Sequence, residues 1–180
     1  MFFNSGEMKN IILIGMPGSG KSTIGVLLAK ALGMPFIDTD LVIQEREGRL
    51  LQDIIDNDGI KAFLRIEENT LLSLRLANHV IATGGSAVYS RSAMSNLKGS
   101  GITVYLKLEY DEVERRIVNI KSRGIAMEKG KTLLDVYRER TPLYEEYADL
   151  TVECSGSSME DIVSLIKREL GNTEVFYHGK

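Results

Sequence analysis

Eight residues near the amino terminus, Gly15-Met16-Pro17-Gly18-Ser19-Gly20-Lys21-Ser22, fit the pattern G-x-x-x-x-G-K-[ST]. They follow the apolar run Ile11–Ile14 and lead into residues with helical spacing. A chain with this pattern must run a buried strand into a glycine-rich turn and open the turn into a helix. In such a turn the backbone N–H groups converge on phosphate oxygens, and the helix start adds partial positive charge. Gly15, Gly18, Ser19 and Gly20 shape the turn, Lys21 reaches the β- and γ-phosphates, and Ser22 ligates Mg²⁺. Thr23 adds a second hydroxyl at the helix start. The pattern therefore predicts nucleotide binding. A dinucleotide fingerprint is excluded, because threonine at position 23 breaks the G-x-G-x-x-G series that would run from Gly18.

The bulk composition removes other classes. The chain has 180 residues and a formal net charge of −3, and no basic block stands out, so a long polyanion such as DNA or RNA is not expected as a partner. Cys154 is the only cysteine, which rules out an internal disulfide and points to a reducing, cytoplasmic compartment. With His79 and His178 the only histidines, a zinc site built from His and Cys is not expected. No apolar run is long enough to span a bilayer, so no membrane association is expected. The reading is one domain over residues 1–180 and a monomer, with weakly ordered ends at 1–8 and 172–180.

The patterning predicts an α/β fold with a five-stranded parallel sheet flanked by helices. Strands are predicted at 11–14, 35–38, 80–82, 102–108 and 150–153. Between them lie a helix from the glycine-rich turn to Gly33, short helices at 41–46 and 51–56, and longer ones at 60–76, about 111–119, 132–140 and 159–170. The helix at 132–140 is expected to stop before Pro142. Ser157 or Ser158 is expected to cap the last one. Strands alternating with helices imply a parallel sheet covered on both faces, with ligands beyond the carboxyl ends of the strands. The phosphate turn, Asp38 and Gly84-Gly85 all follow strand ends and should share one cleft. The charged stretch 121–131 reads as a mobile lid or a plain solvated loop.

Asp38-Thr39-Asp40 closes the second strand. If the extended conformation continues, both carboxylates face the same side, one toward the metal and one toward a substrate hydroxyl. The alternative is a turn in which an aspartate caps the next helix.

Taken together, the chain resembles the shikimate kinase family of P-loop small-molecule kinases. The resemblance rests on Gly15–Ser22, Asp38-Thr39-Asp40, Gly48-Arg49, the segment Phe63–Glu67, Thr83-Gly84-Gly85 and Arg140-Thr-Pro-Leu-Tyr144. It runs from about residue 10 to 170. It implies transfer of the ATP γ-phosphoryl group to a hydroxyl of shikimate, with ATP and Mg²⁺ required. Lys21, Asp40 and Arg123 would be catalytic, Asp40 as the base and Arg123 as the lid arginine over the transferred group. Asp38 would sit in the outer shell of the metal. Arg116 would stack near adenine, and the loop at Cys154 would lie against it. Gly84, Gly85 and Ser86 would line the acceptor, and Arg140 would grip its carboxylate.

Three positions depart from the family pattern. Where the family has F-R-x-x-E, this chain has Phe63-Leu64-Arg65-Ile66-Glu67, so Leu64 replaces an arginine of the carboxylate clamp. Arg65 lies about 100° further round a helix and is no simple substitute. Ser86 stands for a third glycine, and Gly124-Ile125-Ala126 follows the lid arginine in place of P-L-L. Two changes touch the acceptor pocket and one its lid. They leave open a different small hydroxy acid or amino acid, such as homoserine, with Leu64 packed on its aliphatic part. A nucleotide-binding module without catalysis is the alternative from another class.

Overall fold

A computed structural model describes residues 9–118 and 125–172. Five strands, β1 (Asn10–Ile14), β2 (Phe36–Asp38), β3 (Val80–Ala82), β4 (Gly101–Lys107) and β5 (Leu150–Glu153), form one sheet in the order β2-β3-β1-β4-β5. Every neighbouring pair is parallel. Side chains on both faces of β1 are buried, which is why this strand reads as an unbroken apolar run. Around the sheet lie α1 (Lys21–Leu32), α2 (Thr39–Glu47), α3 (Leu51–Asp58), α4 (Ile60–Ser73), α5 (Arg91–Ser100), α6 (Tyr110–Val118), α7 (Leu133–Tyr147) and α8 (Met159–Asn172). A short 3₁₀ turn, Ala87–Tyr89, precedes α5.

The order matters for the site. Leu13 of β1 and Asp38 of β2 both pair with Ala82 of β3, so these three strands end side by side. The loops that follow them open on the same edge of the sheet. The main core lies between sheet and helices. A separate small cluster, Ile43, Ile54, Phe63 and Ala126, joins α2, α3 and α4 to the chain just before α7.

Several expectations need correction. Helix α7 does not stop before Pro142 but runs through it to Tyr147. A proline in a helix interior costs about 3 kcal/mol. It is offset here because continuing the helix buries Tyr144 completely. Helix α4 ends at Ser73, three residues short of the expected Leu76. The Leu76 carbonyl instead accepts from the side-chain amide of Asn10, and Arg75 bonds the Leu72 and Leu74 carbonyls. Helix α5 has no counterpart in the sequence reading. The strand conformation does not continue through Asp38-Thr39-Asp40, because α2 begins at Thr39. Ser158 does cap α8, its hydroxyl accepting from the Asp161 N–H at 3.1 Å. Asn172 is the last residue of that helix and not part of a loose tail.

Candidate active site

The glycine-rich turn delivers a helix start with no side-chain cap. Gly20, the N-cap of α1, is left-handed (φ 91°, ψ 11°) and offers no side-chain oxygen to the first-turn amides. No acidic residue lies in that turn either. Most helices satisfy these amides with a Ser, Thr or Asp. Leaving them uncapped keeps them available to an anion. At Gly15 (φ 146°) an added Cβ would stand 2.7 Å from the Leu106 carbonyl oxygen, so the turn cannot carry a side chain there. The Ser19 N–H closes the turn on the Met16 carbonyl at 3.1 Å.

Lys21 is nearly buried. Its ammonium donates to the carbonyls of Gly15 (2.7 Å) and Met16 (2.8 Å), which folds it over the turn it follows. Ser22, next along α1, donates to Asp38 Oδ2 at 2.6 Å. The other oxygen of Asp38 accepts from the Asp40 N–H at 3.0 Å and caps α2. The capping reading of Asp38 therefore holds, and the same carboxylate also faces the phosphate turn through Ser22. Thr39, between the two aspartates, is fully buried and accepts from the Gly84 N–H at 3.2 Å. Thr83 donates its hydroxyl to the Leu13 carbonyl at 3.0 Å. These threonines bind the ends of β1, β2 and β3 together. The sequence reading gave neither of them a role.

The expected convergence is present. One cleft is lined by Gly18, Gly20, Lys21, Ser22, Asp40, Gly84, Gly85, Ser86 and Arg140, with Pro17, Leu51, Phe63, Glu67, Thr83 and Ala126. Gly84 sits so close to its neighbours that a Cβ would lie 2.1 Å from Glu67 Oε1 and 2.9 Å from Asp40 Oδ1.

Arg140 is the most unusual side chain of the cleft. It is fully buried yet forms no ion pair among the described residues. Its Nε donates to the Tyr89 hydroxyl at 3.1 Å, with the guanidinium 5.0 Å from the Tyr89 ring centroid. Nη2 donates to the Ala126 carbonyl, while Nη1 has no hydrogen-bond partner among the described residues. A buried charge without a counter-charge is costly. An arginine arranged this way suits an anionic group that arrives with a ligand.

Glu67 is the residue the sequence reading passed over. It is 2% exposed, and its Oε2 accepts from the Ser86 hydroxyl at 2.6 Å. Oε1 has no hydrogen-bond partner among the described residues. Burial pushes its carboxyl up most. The Ser86 bond pulls it down, nearby Asp40 raises it, and Arg140 and Lys21 lower it, for a result of about 7. A signal was available, because Glu67 occupies the apolar face of α4 with Phe63 and Leu71, where a carboxylate has no place without a task.

Other candidates lie less centrally. Arg116 donates to the Gly18 carbonyl at 3.1 Å and pairs with Glu112, which lays it across the phosphate turn. Thr23 is exposed on α1. Cys154 is fully buried, its thiol bonded to the Val152 carbonyl and pushed up to about 12 by burial, so only the loop backbone there is available to a nucleotide. Leu64 does not line the cleft. It lines an adjoining cavity of about 250 Å³ with Tyr89 and Ala126, and a groove of about 660 Å³ that shares Glu67 and Ser86 with the cleft. Arg65 is exposed and turned back on the Lys61 carbonyl, so it does not stand in for an arginine at 64. Arg123 and Gly124 lie outside the described residues.

A parallel sheet in this order, a lysine-bearing phosphate turn and two strand-end aspartates together define a P-loop kinase fold. Residues 17–171 match the family model of shikimate kinase. The chain is 38% identical over 172 residues to a shikimate kinase of Paracidovorax citrulli, covering 92% of this chain and 93% of that protein. It is 36% identical over 162 residues to one of Thermobifida fusca, covering 88% and 93%. Among solved structures, shikimate kinase from Acinetobacter baumannii in complex with shikimate matches with a TM-score of 0.85 at 31% identity, covering 93% of this chain and 96% of that one. The chain belongs to the shikimate kinase family.

Proposed function

We propose that this protein transfers the γ-phosphoryl group of ATP to a hydroxyl of shikimate. The observation that carries the reading is Arg140, a buried guanidinium with no ion-pair partner among the described residues and with Nη1 unbonded, in the cleft that also holds Asp40 and the phosphate turn. Shikimate bears the carboxylate such a group lacks and the hydroxyls such a cleft accepts. Asp40 takes the proton of the reacting hydroxyl as its oxygen bonds to the γ-phosphorus, and the bond from phosphorus to the departing ADP oxygen breaks. Lys21 and the first-turn amides of α1 hold the phosphates, and Arg123 covers the transferred group. Gly84 and Gly85 let the acceptor approach the backbone, and Arg140 fixes its orientation.

The residues present fit Mg²⁺. The Ser22 hydroxyl and the Asp38 carboxylate lie 2.6 Å apart at the exit of the phosphate turn and offer the hard oxygen atoms this ion prefers, so Ser22 would hold it and Asp38 would support it from the outer shell. When bound, the ion would neutralise charge on the phosphates.

Leu64 and Ser86 support a second reading, in which the acceptor is another small hydroxy acid or homoserine. One assay separates the two. ADP release is followed with shikimate, homoserine, gluconate and nucleoside monophosphates, using wild type, Lys21→Ala and Asp40→Asn. Saturable turnover with shikimate at low concentration, lost in both variants while they remain folded, is the expected result. Turnover only with another acceptor would replace shikimate. Near-wild-type turnover in either variant would overturn the assigned roles.

A further inference from the structure

Glu67 occupies an odd position for a carboxylate. It is buried among the acceptor-side residues, with no basic side chain in ion-pair contact among the described residues. Leu64, one helical turn earlier on the same helix, supplies no charge. The one side chain that bonds it is Ser86, through Oε2. Its Oε1 is turned toward the Gly84–Gly85 turn, where the acceptor would lie. On the other side of that turn is Arg140, whose unused Nη1 would stand 3.2 Å from a Cβ on Gly85.

We propose that Ser86 is a positioning residue for Glu67, and that the proton on Glu67 sets how tightly the acceptor pocket binds. The proposal rests on the acceptor being a hydroxy acid such as shikimate. Its carboxylate and an ionised Glu67 compete for the same guanidinium and repel one another in a poorly hydrated pocket. A protonated Glu67 removes the repulsion and turns an acceptor-only group into a hydrogen-bond donor. The charged groups facing Glu67 are Asp40 from α2, Lys21 from α1 and Arg140 from α7. Asp40 holds the proton on, and the two cations draw it off. The Ser86 hydroxyl, donating to Oε2, also favours the ionised form. Ser86 thus holds Glu67 in place and keeps its proton in balance near neutral pH. Neither Glu67 nor Ser86 belongs to the phosphate turn, so ATP affinity is expected to respond far less to this proton than acceptor affinity.

The test is the pH dependence of the shikimate and ATP KM values in wild type, Ser86→Ala and Glu67→Gln. It is paired with ¹³C NMR of side-chain carboxyls in the acceptor-free protein, the Glu67 signal being assigned from its loss in Glu67→Gln. In wild type the shikimate KM rises on the order of tenfold from about pH 6 to about pH 8.5, with the ATP KM nearly flat. Ser86→Ala moves both the KM midpoint and the NMR midpoint of Glu67 to higher pH. Glu67→Gln abolishes the KM dependence. A shikimate profile unchanged by Ser86→Ala, or persisting in Glu67→Gln, overturns the proposal while leaving the proposed reaction intact. Absence of shikimate turnover at every pH removes the proposed reaction and this role in shikimate affinity together. The NMR midpoint then still decides whether Ser86 controls the proton, and an unmoved midpoint overturns that part as well.

Discussion

The phenol of Tyr144 donates to the carbonyl of Gly85 at 2.6 Å, joining the last turn of α7 to the Gly84–Gly85 turn of the cleft. Tyr144 is fully buried and stacked on Tyr105, with ring centroids 5.0 Å apart. Burial pushes its hydroxyl well above the usual tyrosine value, so it stays a donor. Tyr144→Phe keeps the stacking and removes this bond, together with the weaker 3.9 Å contact of the hydroxyl to Met16 Sδ. The expected cost is about 1 kcal/mol, read as a roughly fivefold rise in shikimate KM with the ATP KM unmoved. Steady-state kinetics in both substrates check it, and an equal rise in both KM values would reduce Tyr144 to a packing role.

Gly84→Ala tests the close approach of the acceptor turn. The new methyl would meet the ends of two carboxylates, Glu67 and Asp40, rather than fixed backbone, and the position carries no left-handed φ. The protein should therefore fold with only a small loss of melting temperature. Shikimate turnover should fall at least about tenfold, because both displaced groups line the cleft in which the proposed acceptor would sit. A large drop in melting temperature would place the effect in folding instead.

Leu64→Arg places a guanidinium one turn before Glu67, beside a cavity of about 250 Å³ that can receive it. If the acceptor is shikimate, its KM should fall about tenfold, the value of one charge-assisted hydrogen bond. A rise in KM would mean that Leu64 contacts an aliphatic part of the acceptor.

Glu67 also makes stability depend on pH. The folded protein holds this proton more tightly than the unfolded chain, with a value of about 7 against an ordinary 4.5. The contribution is fully present below the unfolded value and is lost as pH rises through the folded one. Between them it amounts to roughly 3 kcal/mol. Glu67→Gln should remove this slope, so the variant gains on wild type at alkaline pH. Chemical denaturation of both proteins at several pH values checks it.

The donor side was legible in the sequence because its signal is local. Gly15–Ser22 is one continuous segment whose backbone does most of the work, and neighbouring residues specify it. The central strands β1, β3 and β4 were legible too, since burial on both faces leaves largely apolar runs. What was missed depends on distant partners. Pro142 reads as a helix stop until Tyr144 is seen to need the helix to reach Gly85. Helix α5 is rich in serine and carries glycine, and only Ala93, Met94 and Leu97 bury against the core. Glu67 and Ser86 are 19 residues apart and become a pair only once α4 and the turn after β3 face each other. Asp38 was read two ways because an aspartate after a strand suits a helix cap as well as an extended edge, and only the start of α2 at Thr39 decides for the cap.

The division of the cleft among separate elements has a consequence for inheritance. The phosphate turn and the start of α1 handle the donor, whereas Leu64 and Ser86 sit on α4 and on the turn after β3. A mutation at either position alters the surroundings of Glu67 without changing any hydrogen bond of Lys21 or Ser22 given above. Single inherited substitutions can therefore reshape the surroundings of Glu67 while the contacts of Lys21 and Ser22 stay in place.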